Sequence, residues 1–187
     1  MNRKFNYCFR VIFNLLRNFI LRVTSFNSIN CAVVEFISPF ADINVSDGGK
    51  IKIGSKSNIE KNSQIRSSGG EIVLGDGVYI NRNCNIISHE EITIGNGVTI
   101  GPNVCIYDHD HNYKHWGGSS YISKKITIGD GVWIGANCII TKGVSIGANS
   151  VIAAGTIVTK NVEKDTIIRS RITYAVSNIK EFVESKQ

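Results

Sequence analysis

The residues with the clearest capacity for chemistry lie in one short segment that contains three of the four histidines. His109 and His111 alternate there with Asp108 and Asp110, and His115 follows. Histidine titrates near neutral pH, so its neutral ring can take a proton from a hydroxyl group and activate that group as a nucleophile. A neighbouring carboxylate orients such a ring and stabilises its protonated form. The segment is therefore the first candidate for a catalytic site.

A repeat of six residues lies on both sides of this segment. Large aliphatic residues recur at every sixth position in five groups of three, and thirteen of the fifteen are isoleucine. A glycine follows the first residue of every group, and these first residues are Ile53, Leu74, Ile94, Ile128 and Ile146. A period of six fits neither a helix nor one long strand, whereas a short strand followed by a tight turn produces it. An ordinary β-sandwich would instead place a turn every ~8–12 residues.

The repeat predicts an all-β solenoid in which three short sides close one coil of about 18 residues. Extra residues occur only after the third side of a coil: three before Leu74, two before Ile94 and sixteen before Ile128. Insertions at a single corner leave the stacked aliphatic residues undisturbed. The longest insertion lies in the loop 107–125 and carries the three histidines. Loops held on a regular scaffold are common positions for functional residues.

Composition and charge narrow the class of protein further. The chain has 187 residues, 42% apolar and 19% charged, which suits one folded domain with an appendage and excludes disordered, collagen-like and coiled-coil chains. The net charge is +6, but residues 1–34 carry five basic and no acidic side chains. The rest is close to neutral, so we expect no nucleic-acid partner. The five cysteines form no CxxC pair, which indicates reduced thiols and a cytoplasmic protein.

The first 40 residues have the pattern of a basic amphipathic helix. Seven apolar residues follow a heptad-like spacing: Phe5, Phe9, Ile12, Leu16, Phe19, Val23 and Phe26. Polar residues interrupt the segment too often for a membrane span or a signal peptide. Such a helix can cap the open end of a solenoid, and its cations also suit the anionic inner face of a membrane. We expect a helical arm in 1–40, the solenoid in 41–165 and a tail with a short helix in 166–187.

Two stretches of the repeat resemble a known family. They read Ile94-Gly-Asn-Gly-Val-Thr-Ile-Gly-Pro-Asn-Val and Ile128-Gly-Asp-Gly-Val-Trp-Ile-Gly-Ala-Asn. Both resemble the hexapeptide-repeat acyltransferases, and the chain looks most similar to the branch of galactoside, maltose and polysaccharide O-acetyltransferases. The resemblance implies a left-handed parallel β-helix of about five coils, one for each group of the repeat. It also implies a homotrimer that binds acetyl-CoA between adjacent subunits.

The resemblance implies that one histidine of the loop is the general base. Counting forward from the end of the preceding repeat points to His111, which we favour, whereas counting back from Trp133 points to His109. The loop is similar to that of the family but about two residues shorter, so both remain candidates. Asn81 matches a family asparagine that contacts the acceptor and the developing oxyanion. The alternative for Asn81 is a corner residue selected for its backbone conformation.

The same resemblance implies the residues that bind the acetyl donor. Trp133 would lie along the pantetheine arm, and the backbone amides of Ala136 and Ala154 would contact the thioester and the pantetheine. Thr159 and Lys160 would bind the phosphorylated adenosine end. The chain departs from the family after this point, because residues 169–175 contain neither glycine nor proline. That departure leaves the nucleotide end of the donor site open, with Arg169 and Arg171 as replacement cations.

The function that the resemblance implies is acetyl-CoA-dependent O-acetylation of a sugar hydroxyl. The acceptor would be a bacterial surface polysaccharide (capsule or lipopolysaccharide) or its precursor. We expect direct transfer without an acetylated residue, because no nucleophile with a paired base stands out. Cys105, near the loop, is the one thiol that would contradict this. An antibiotic acceptor is an alternative within this fold. A non-catalytic scaffold or a metal-dependent hydratase is another, but the other coils add only His89 to the loop histidines as a zinc ligand, so we predict no metal site.

Overall fold

The chain winds around three flat faces and forms a parallel β-solenoid. The structure is a computed structural model, and it describes residues 12–17, 19–20, 28–32, 36–113 and 121–171. Each strand of the solenoid pairs in parallel with the strand one coil later, which builds three sheets of six, seven and six strands. This architecture confirms the predicted left-handed parallel β-helix and gives it six complete coils, one more than the repeat indicated.

The strands are short, and each face takes one strand from every coil. The first face consists of β1 (Ile29–Cys31), β4 (Lys50–Ile53), β7 (Glu71–Leu74), β10 (Glu91–Ile94), β15 (Ile126–Ile128) and β18 (Ser145–Ile146). The second consists of β2 (Phe36–Ile37), β5 (Asn58–Ile59), β8 (Tyr79–Ile80), β11 (Thr99–Ile100), β16 (Trp133–Ile134), β19 (Val151–Ile152) and β21 (Ile167–Ile168). The third consists of β3 (Asp42–Ser46), β6 (Gln64–Ser68), β9 (Asn85–Ser88), β12 (Cys105–Tyr107), β17 (Ile139–Ile140) and β20 (Ile157–Val158). A separate antiparallel hairpin consists of β13 (His109–His111) and β14 (Tyr121–Ser123).

Three corners connect these faces, and most of the candidate site residues lie at them. The first corner joins the first face to the second, the second corner joins the second face to the third, and the third corner leads into the next coil. In the second coil these corners are residues 54–57, 60–63 and 69–70. Corresponding positions of successive coils stack on one another, so a residue's corner and coil together specify its place in the solenoid.

The core is a set of stacked aliphatic side chains, as the repeat predicted. On the second face Ile59, Ile80, Ile100 and Ile134 follow one another in register, and all four are fully buried. Side chains of a strand alternate between its two sides, so the residue before each isoleucine faces outward. Burying one such side chain stabilises the fold by ~1.5–3 kcal/mol. The stacks therefore provide most of the apolar burial of the domain.

The additional coil precedes the first group of the repeat. Its inward residues Cys31, Ile37 and Ile43 keep the six-residue spacing, and β1 and β2 pair with the strands of the second coil. Cysteine occupies the first position and Ala32 replaces the usual glycine, which hides this coil from a search for isoleucine and glycine. The boundary between arm and solenoid therefore moves from residue 40 to residue 28. At the other end β21 extends the solenoid to Ile168, inside the segment expected to be a tail.

A ladder of asparagine side chains stabilises the second corner. Asn62, Asn83, Asn103 and Asn137 stack there, and each amide nitrogen donates to the next amide oxygen at 3.1–3.3 Å. All four residues have positive φ angles between 57° and 62°. Asparagine tolerates this left-handed backbone better than most residues do. The side chain therefore serves both the turn and the contact between coils.

From the second coil onward, a glycine follows each first-face strand because the spacing between coils leaves no room for a Cβ atom there. A Cβ atom on Gly129 would lie 2.6 Å from the backbone nitrogen of Ala148, closer than a carbon atom can approach. We expect Gly129→Ala to lower the free energy of unfolding by about 2–3 kcal/mol. The control is Gly97→Asn, since Gly97 has a φ of 64° and open space around its Cα, and Asn149 occupies the equivalent place. Urea denaturation of both variants tests this, and equal losses would contradict it.

The described part of the arm is helical but its apolar stripe is not packed. Residues 12–17 and 19–20 are helical, and Ile12, Leu16 and Phe19 are 59%, 59% and 69% exposed. These three side chains therefore do not cover the end of the solenoid. The other stripe residues and the expected C-terminal helix lie outside the described residues. Within the described parts of the chain, no helix is both long and apolar enough to cross a membrane.

Candidate active site

The histidine-rich loop leaves the solenoid at the third corner of the fourth coil. Residues 108–125 separate β12 from β15. Within them β13 and β14 pair antiparallel, with His109 opposite Ser123 and His111 opposite Tyr121. The hairpin provides hydrogen-bonding partners for the backbone of the insertion, so the loop projects from the corner without interrupting the sheets on either side.

Asp108 is an interior carboxylate at the start of this loop. It lies two residues after the buried Ile106, and strand alternation directs both side chains inward. Its carboxylate accepts hydrogen bonds from Ser88 Oγ at 2.6 Å and from the backbone N–H groups of His89 and Glu90, each at 2.9 Å. These donors belong to the third coil. Asp108 therefore ties the start of the loop to the corner one coil earlier.

The same carboxylate holds His109. Nδ1 of His109 lies 3.1 Å from Oδ1 of Asp108, and the two side chains are 13% and 0% exposed. When a neutral ring donates from Nδ1 to a carboxylate, its Nε2 is unprotonated, which is the tautomer that a general base requires. Of the two aspartates expected to orient a loop histidine, Asp108 is the one in contact with a ring.

Aromatic rings surround His109. The ring of His89, from the third coil, lies edge-on with its centroid 4.2 Å away, and Tyr121 approaches edge-on at 5.0 Å. His89 itself stacks on Tyr121 at 4.0 Å. These contacts restrict rotation of the His109 ring about its bond to the backbone. They also exclude part of the water around it, which strengthens its interaction with Asp108.

The ring of His89 is held in its neutral form. Partial burial lowers the pKa of His89, and the nearby His109 lowers it further, although Asp108 and Asp47 act in the opposite direction. The unfolded chain therefore takes up a proton at His89 at a higher pH than the folded protein does. Acidification below about pH 6.5 favours the unfolded state for this reason.

This pKa shift predicts a pH-dependent stability. Between about pH 7 and about pH 5, the free energy of unfolding should fall more in the wild type than in His89→Phe. Phenylalanine keeps the ring that stacks on Tyr121 but cannot bind a proton, and the backbone N–H of residue 89 can still donate to Asp108. Urea denaturation at the two pH values measures the difference. An equal decrease in both proteins would assign the dependence to other groups.

His111 has a different environment from His109. Its side chain is exposed, and its ring approaches Tyr121 with a centroid distance of 4.9 Å. Its neighbour Asp110 forms an ion pair with Lys142, which lies at the third corner of the fifth coil. The ion pair connects β13 of the hairpin to the fifth coil. Within a single chain, Asp110 therefore pairs with Lys142 and does not orient the ring of His111.

Three predicted binding residues lie together along the second corner. Asn81 belongs to the third coil, Ala136 to the fifth and Ala154 to the sixth. No hydrogen bond from the backbone N–H of Ala136 or Ala154 reaches another described residue. The side-chain oxygen of Asn81 accepts the N–H of Arg82 at 2.8 Å, which leaves its NH₂ group to donate elsewhere. The corner therefore presents a row of donors with small side chains around them.

Trp133 lies beside this row on the outer side of β16. Its side chain is 55% exposed, with Thr99 and Val151 as its neighbours in the sheet. Arg169 follows β21 and also lies at the second corner. The backbone N–H of Ala153 donates there to the carbonyl of Ile168, at 2.8 Å. The stretch that departs from the family therefore begins with a cation beside the predicted donor residues.

The remaining predicted residues lie at another corner. Thr159 and Lys160 are exposed and follow β20 at the third corner of the sixth coil, on the same edge as the histidine loop. Asn103 at the second corner and Asp108 at the third are five residues apart in the fourth coil, or about 16 Å at ~3.3 Å per residue. A single chain thus divides the predicted site between two edges.

A protein of known structure is similar to this chain in sequence and in fold. A hexapeptide-repeat-containing acetyltransferase from Vibrio cholerae O1 biovar eltor, solved in complex with acetyl coenzyme A, is 30% identical to this chain. The match covers 81% of this chain and 70% of that one, with a TM-score of 0.55. The chain belongs to the hexapeptide-repeat acetyltransferases. It is therefore an acyltransferase, as the resemblance of the repeat implied.

Other comparisons agree with membership of the hexapeptide-repeat acetyltransferases. The sequence model of the hexapeptide repeat of succinyl-transferase matches residues 125–160. AntD, an N-acyltransferase from Bacillus cereus solved with dTDP and 3-hydroxybutyryl-CoA, has a TM-score of 0.65 and 20% identity, and the match covers 88% of this chain and 92% of that one. A putative acetyltransferase from Bacillus cereus has a TM-score of 0.61 and 21% identity, over 87% of this chain and 86% of that one. These two likenesses show the shared fold.

Two neighbours of His109 in this acetyltransferase were not identified as such from the sequence: His89, which was considered only as a zinc ligand, and Tyr121. His89 could have been found, because a coil offset of twenty residues places Ser88 beside Asp108 and therefore His89 beside His109. Tyr121 lies within the insertion, where no repeat gives the register. Its stacking on His89 depends on how the hairpin folds back over the corner.

The other polar groups near the loop are poor candidates for the reaction of the family. Burial raises the pKa of Tyr107 to about 12, so its phenol stays protonated at neutral pH. Cys105 lies on the outer side of β12, where its sulfur is 3.9 Å from the amide nitrogen of Asn85 and not beside an imidazole that would activate it. The described residues contain no group of three or more side chains suited to a metal, and His115 lies outside them.

Proposed function

We propose that this acetyltransferase transfers an acetyl group from acetyl-CoA to a sugar hydroxyl, with His109 as the general base. The observation that carries the proposal is the Asp108–His109 pair on a loop that projects from the solenoid. A hydroxyl group is a weak nucleophile until a base removes its proton, and a histidine fixed by a buried carboxylate meets that need.

His109 takes part in both proton transfers of the proposed mechanism. Its Nε2 accepts the proton of the sugar hydroxyl while that oxygen forms a bond to the acetyl carbonyl carbon. Asp108 stabilises the imidazolium that results, because it already accepts the hydrogen bond from Nδ1. The carbon–sulfur bond then breaks, and the imidazolium returns the proton to the departing sulfur. The base is thereby regenerated without an acetylated residue.

The assignment of His109 over His111 rests on their different partners. Asp108 orients His109, whereas His111 is exposed and the adjacent Asp110 pairs with Lys142. An unoriented ring samples several rotamers and both tautomers, so it is in the reactive arrangement for less of the time. The structure therefore supports the histidine that counting back from Trp133 indicated.

The second corner fits the donor. Acetyl-CoA, when bound, supplies the acetyl group as a reactive thioester. The backbone N–H groups of Ala136 and Ala154 suit the carbonyl oxygens of a pantetheine chain, and the exposed indole of Trp133 offers an apolar surface beside them. For the phosphates, Arg169 is an exposed cation at this corner, and Lys160 is an exposed cation at the third corner. Asn81 offers an amide donor for the oxyanion that develops on the acetyl oxygen.

A homotrimer would complete the site, because one chain holds its two halves at different corners. The second corner of one subunit would meet the third corner of the next and bring Asn81 and Ala136 towards the neighbouring His109. Exposed apolar residues support contacts beside the second corner: Ile139 and Ile157 on the third face are 36% and 58% exposed. Closed threefold symmetry would cover all copies of these surfaces equally.

The sequence of the repeat supports the acceptor class, and the cysteines support the compartment. The sequence resembles polysaccharide O-acetyltransferases, which supports a sugar of a bacterial surface polysaccharide or its precursor as acceptor. The four described cysteines, Cys31, Cys84, Cys105 and Cys138, are free thiols. Free thiols suit the reducing cytoplasm, where such precursors would meet the enzyme.

The test is release of coenzyme A thiol from acetyl-CoA, blanked for the cysteines of the protein. Sugar and oligosaccharide hydroxyl acceptors, amino sugars and hydroxylated antibiotics should be compared in separate reactions, with donor binding measured by calorimetry in the same samples. Turnover that requires a sugar hydroxyl supports the proposal. Turnover only with amino sugars or antibiotics would replace the acceptor, and failure to bind acetyl-CoA would remove the donor assignment.

A further inference from the structure

An apolar helix face is exposed in the N-terminal segment. Among the helical residues 12–17 and 19–20, large apolar side chains recur with the spacing i, i+3, i+4, i+7 and i+8. That spacing places them on one face of the helix. All are between 49% and 69% exposed, and they are Ile12, Leu15, Leu16, Phe19 and Ile20. A contiguous apolar patch of this kind marks a surface that contacts another molecule.

The opposite side of the helix faces the protein. Asn14 is 2% exposed, and Phe13 and Arg17 are half-buried. A helix that caps a core directs its apolar face inward and its polar face to water. Here a polar side chain is the buried one and the apolar face points outward. Packing on the rest of the chain therefore does not account for the apolar residues.

The charge of the segment selects the kind of partner. Residues 1–34 carry five cations and no anion, namely Arg3, Lys4, Arg10, Arg17 and Arg22, while the other residues carry 16 basic and 15 acidic groups. A second copy of this segment would bring five more cations against the first five. An anionic lipid surface satisfies both features, because its acyl region accepts the apolar face and its headgroups attract the cations other than Arg17, which is half-buried on the opposite side of the helix.

We propose that the N-terminal helix binds the surface of an anionic bilayer, lying in the plane of the headgroups with the Ile12–Leu16–Phe19 side in the acyl region. The helix would lie on the membrane and not cross it, because charged and polar residues interrupt the apolar sequence. This inference is independent of the acceptor and of the catalytic base, since it rests on exposed residues outside the candidate site.

The test is flotation of the full-length protein with lipid vesicles. We expect binding to vesicles of phosphatidylglycerol mixed with phosphatidylcholine, weaker binding at high salt and little binding to phosphatidylcholine alone. The double variant Leu16→Glu with Phe19→Glu should lose at least about tenfold in vesicle affinity. Arg3→Gln and Arg10→Gln should each lose about fivefold, the effect of one cation near an anionic surface.

The matched control is Phe40→Glu. Phe40 is 74% exposed at the second corner of the first coil, outside the helix, so its replacement should leave vesicle binding unchanged. Thermal melting and light scattering of each variant show whether fold and oligomeric state are kept. Absence of wild-type flotation would overturn the inference. So would a glutamate pair that alters the oligomeric state and leaves flotation intact, because the face would then join copies of this chain.

Discussion

His109→Gln should lower the acceptor-dependent rate of acetyl transfer by ~10²–10⁴-fold, the usual contribution of a general base. Glutamine keeps the polarity and approximate size of the side chain but cannot accept the hydroxyl proton. The loss should appear in kcat, with the KM for acetyl-CoA nearly unchanged, because His109 is proposed to act on the acceptor hydroxyl, whereas the donor is expected to contact the backbone N–H groups of Ala136 and Ala154. Steady-state release of coenzyme A thiol measures both constants.

His111→Gln is the matched control for that experiment. It makes the same chemical change two residues away in the same strand, on a ring whose described neighbour is Tyr121. Most of the activity should remain. Loss of turnover in His111→Gln together with retention in His109→Gln would identify His111 as the base. The Asp108–His109 pair would then be a structural anchor of the loop.

Asp108→Ala should have the largest effect on stability among substitutions near the site. The buried carboxylate accepts three hydrogen bonds from the third coil in addition to the contact with His109. Its removal leaves the backbone N–H groups of His89 and Glu90 without their acceptor, while Ser88 Oγ keeps only its longer contact with the carbonyl of Glu71, at 3.3 Å. We expect the free energy of unfolding to fall by about 3–5 kcal/mol, measured by urea denaturation.

Two further substitutions separate the roles of Asp108. Asp108→Asn keeps the shape and one acceptor oxygen, so it should recover part of the stability while activity stays low, because the neutral amide no longer stabilises an imidazolium. Asp110→Asn is the control for charge in the same loop. Its side chain is 59% exposed and pairs with Lys142, so we expect a change of only ~0–1 kcal/mol. An equal decrease in the free energy of unfolding for Asp108→Asn and Asp110→Asn would show that the burial of Asp108 does not matter for stability.

The solenoid could be predicted because its physics is local and repeated. One buried β-branched residue every six positions allows few other folds, and the stacked isoleucines appear where the spacing placed them. The first coil escaped notice because Cys31 and Ala32 fill the places of isoleucine and glycine while leaving the spacing intact. A search for residue size and spacing, without regard to residue type, would have included it.

The candidate site was less predictable, because it depends on contacts between coils. In the sequence, His109 and His111 are equivalent, because each follows an aspartate. The choice between them depends on Asp108, which points inward towards Ser88 and also contacts His109. The sequence also did not predict that the apolar face of the N-terminal helix points to solvent. Periodicity identifies which residues share a face of a helix, but the surface that this face meets is set by tertiary contacts.

The regular stacking of coils sets fixed distances along the axis of the solenoid. Neighbouring strands are ~4.8 Å apart, so the loop of the fourth coil lies about 14 Å along the axis from the first coil, which directly follows the arm. Duplicating or deleting a whole coil on the arm side of the loop would change that height in steps of ~4.8 Å while leaving the loop's own contacts intact. If the arm rests on a bilayer, the coils before the loop determine which sugar of a lipid-attached glycan, counted outward from the headgroup, comes level with His109, the proposed general base.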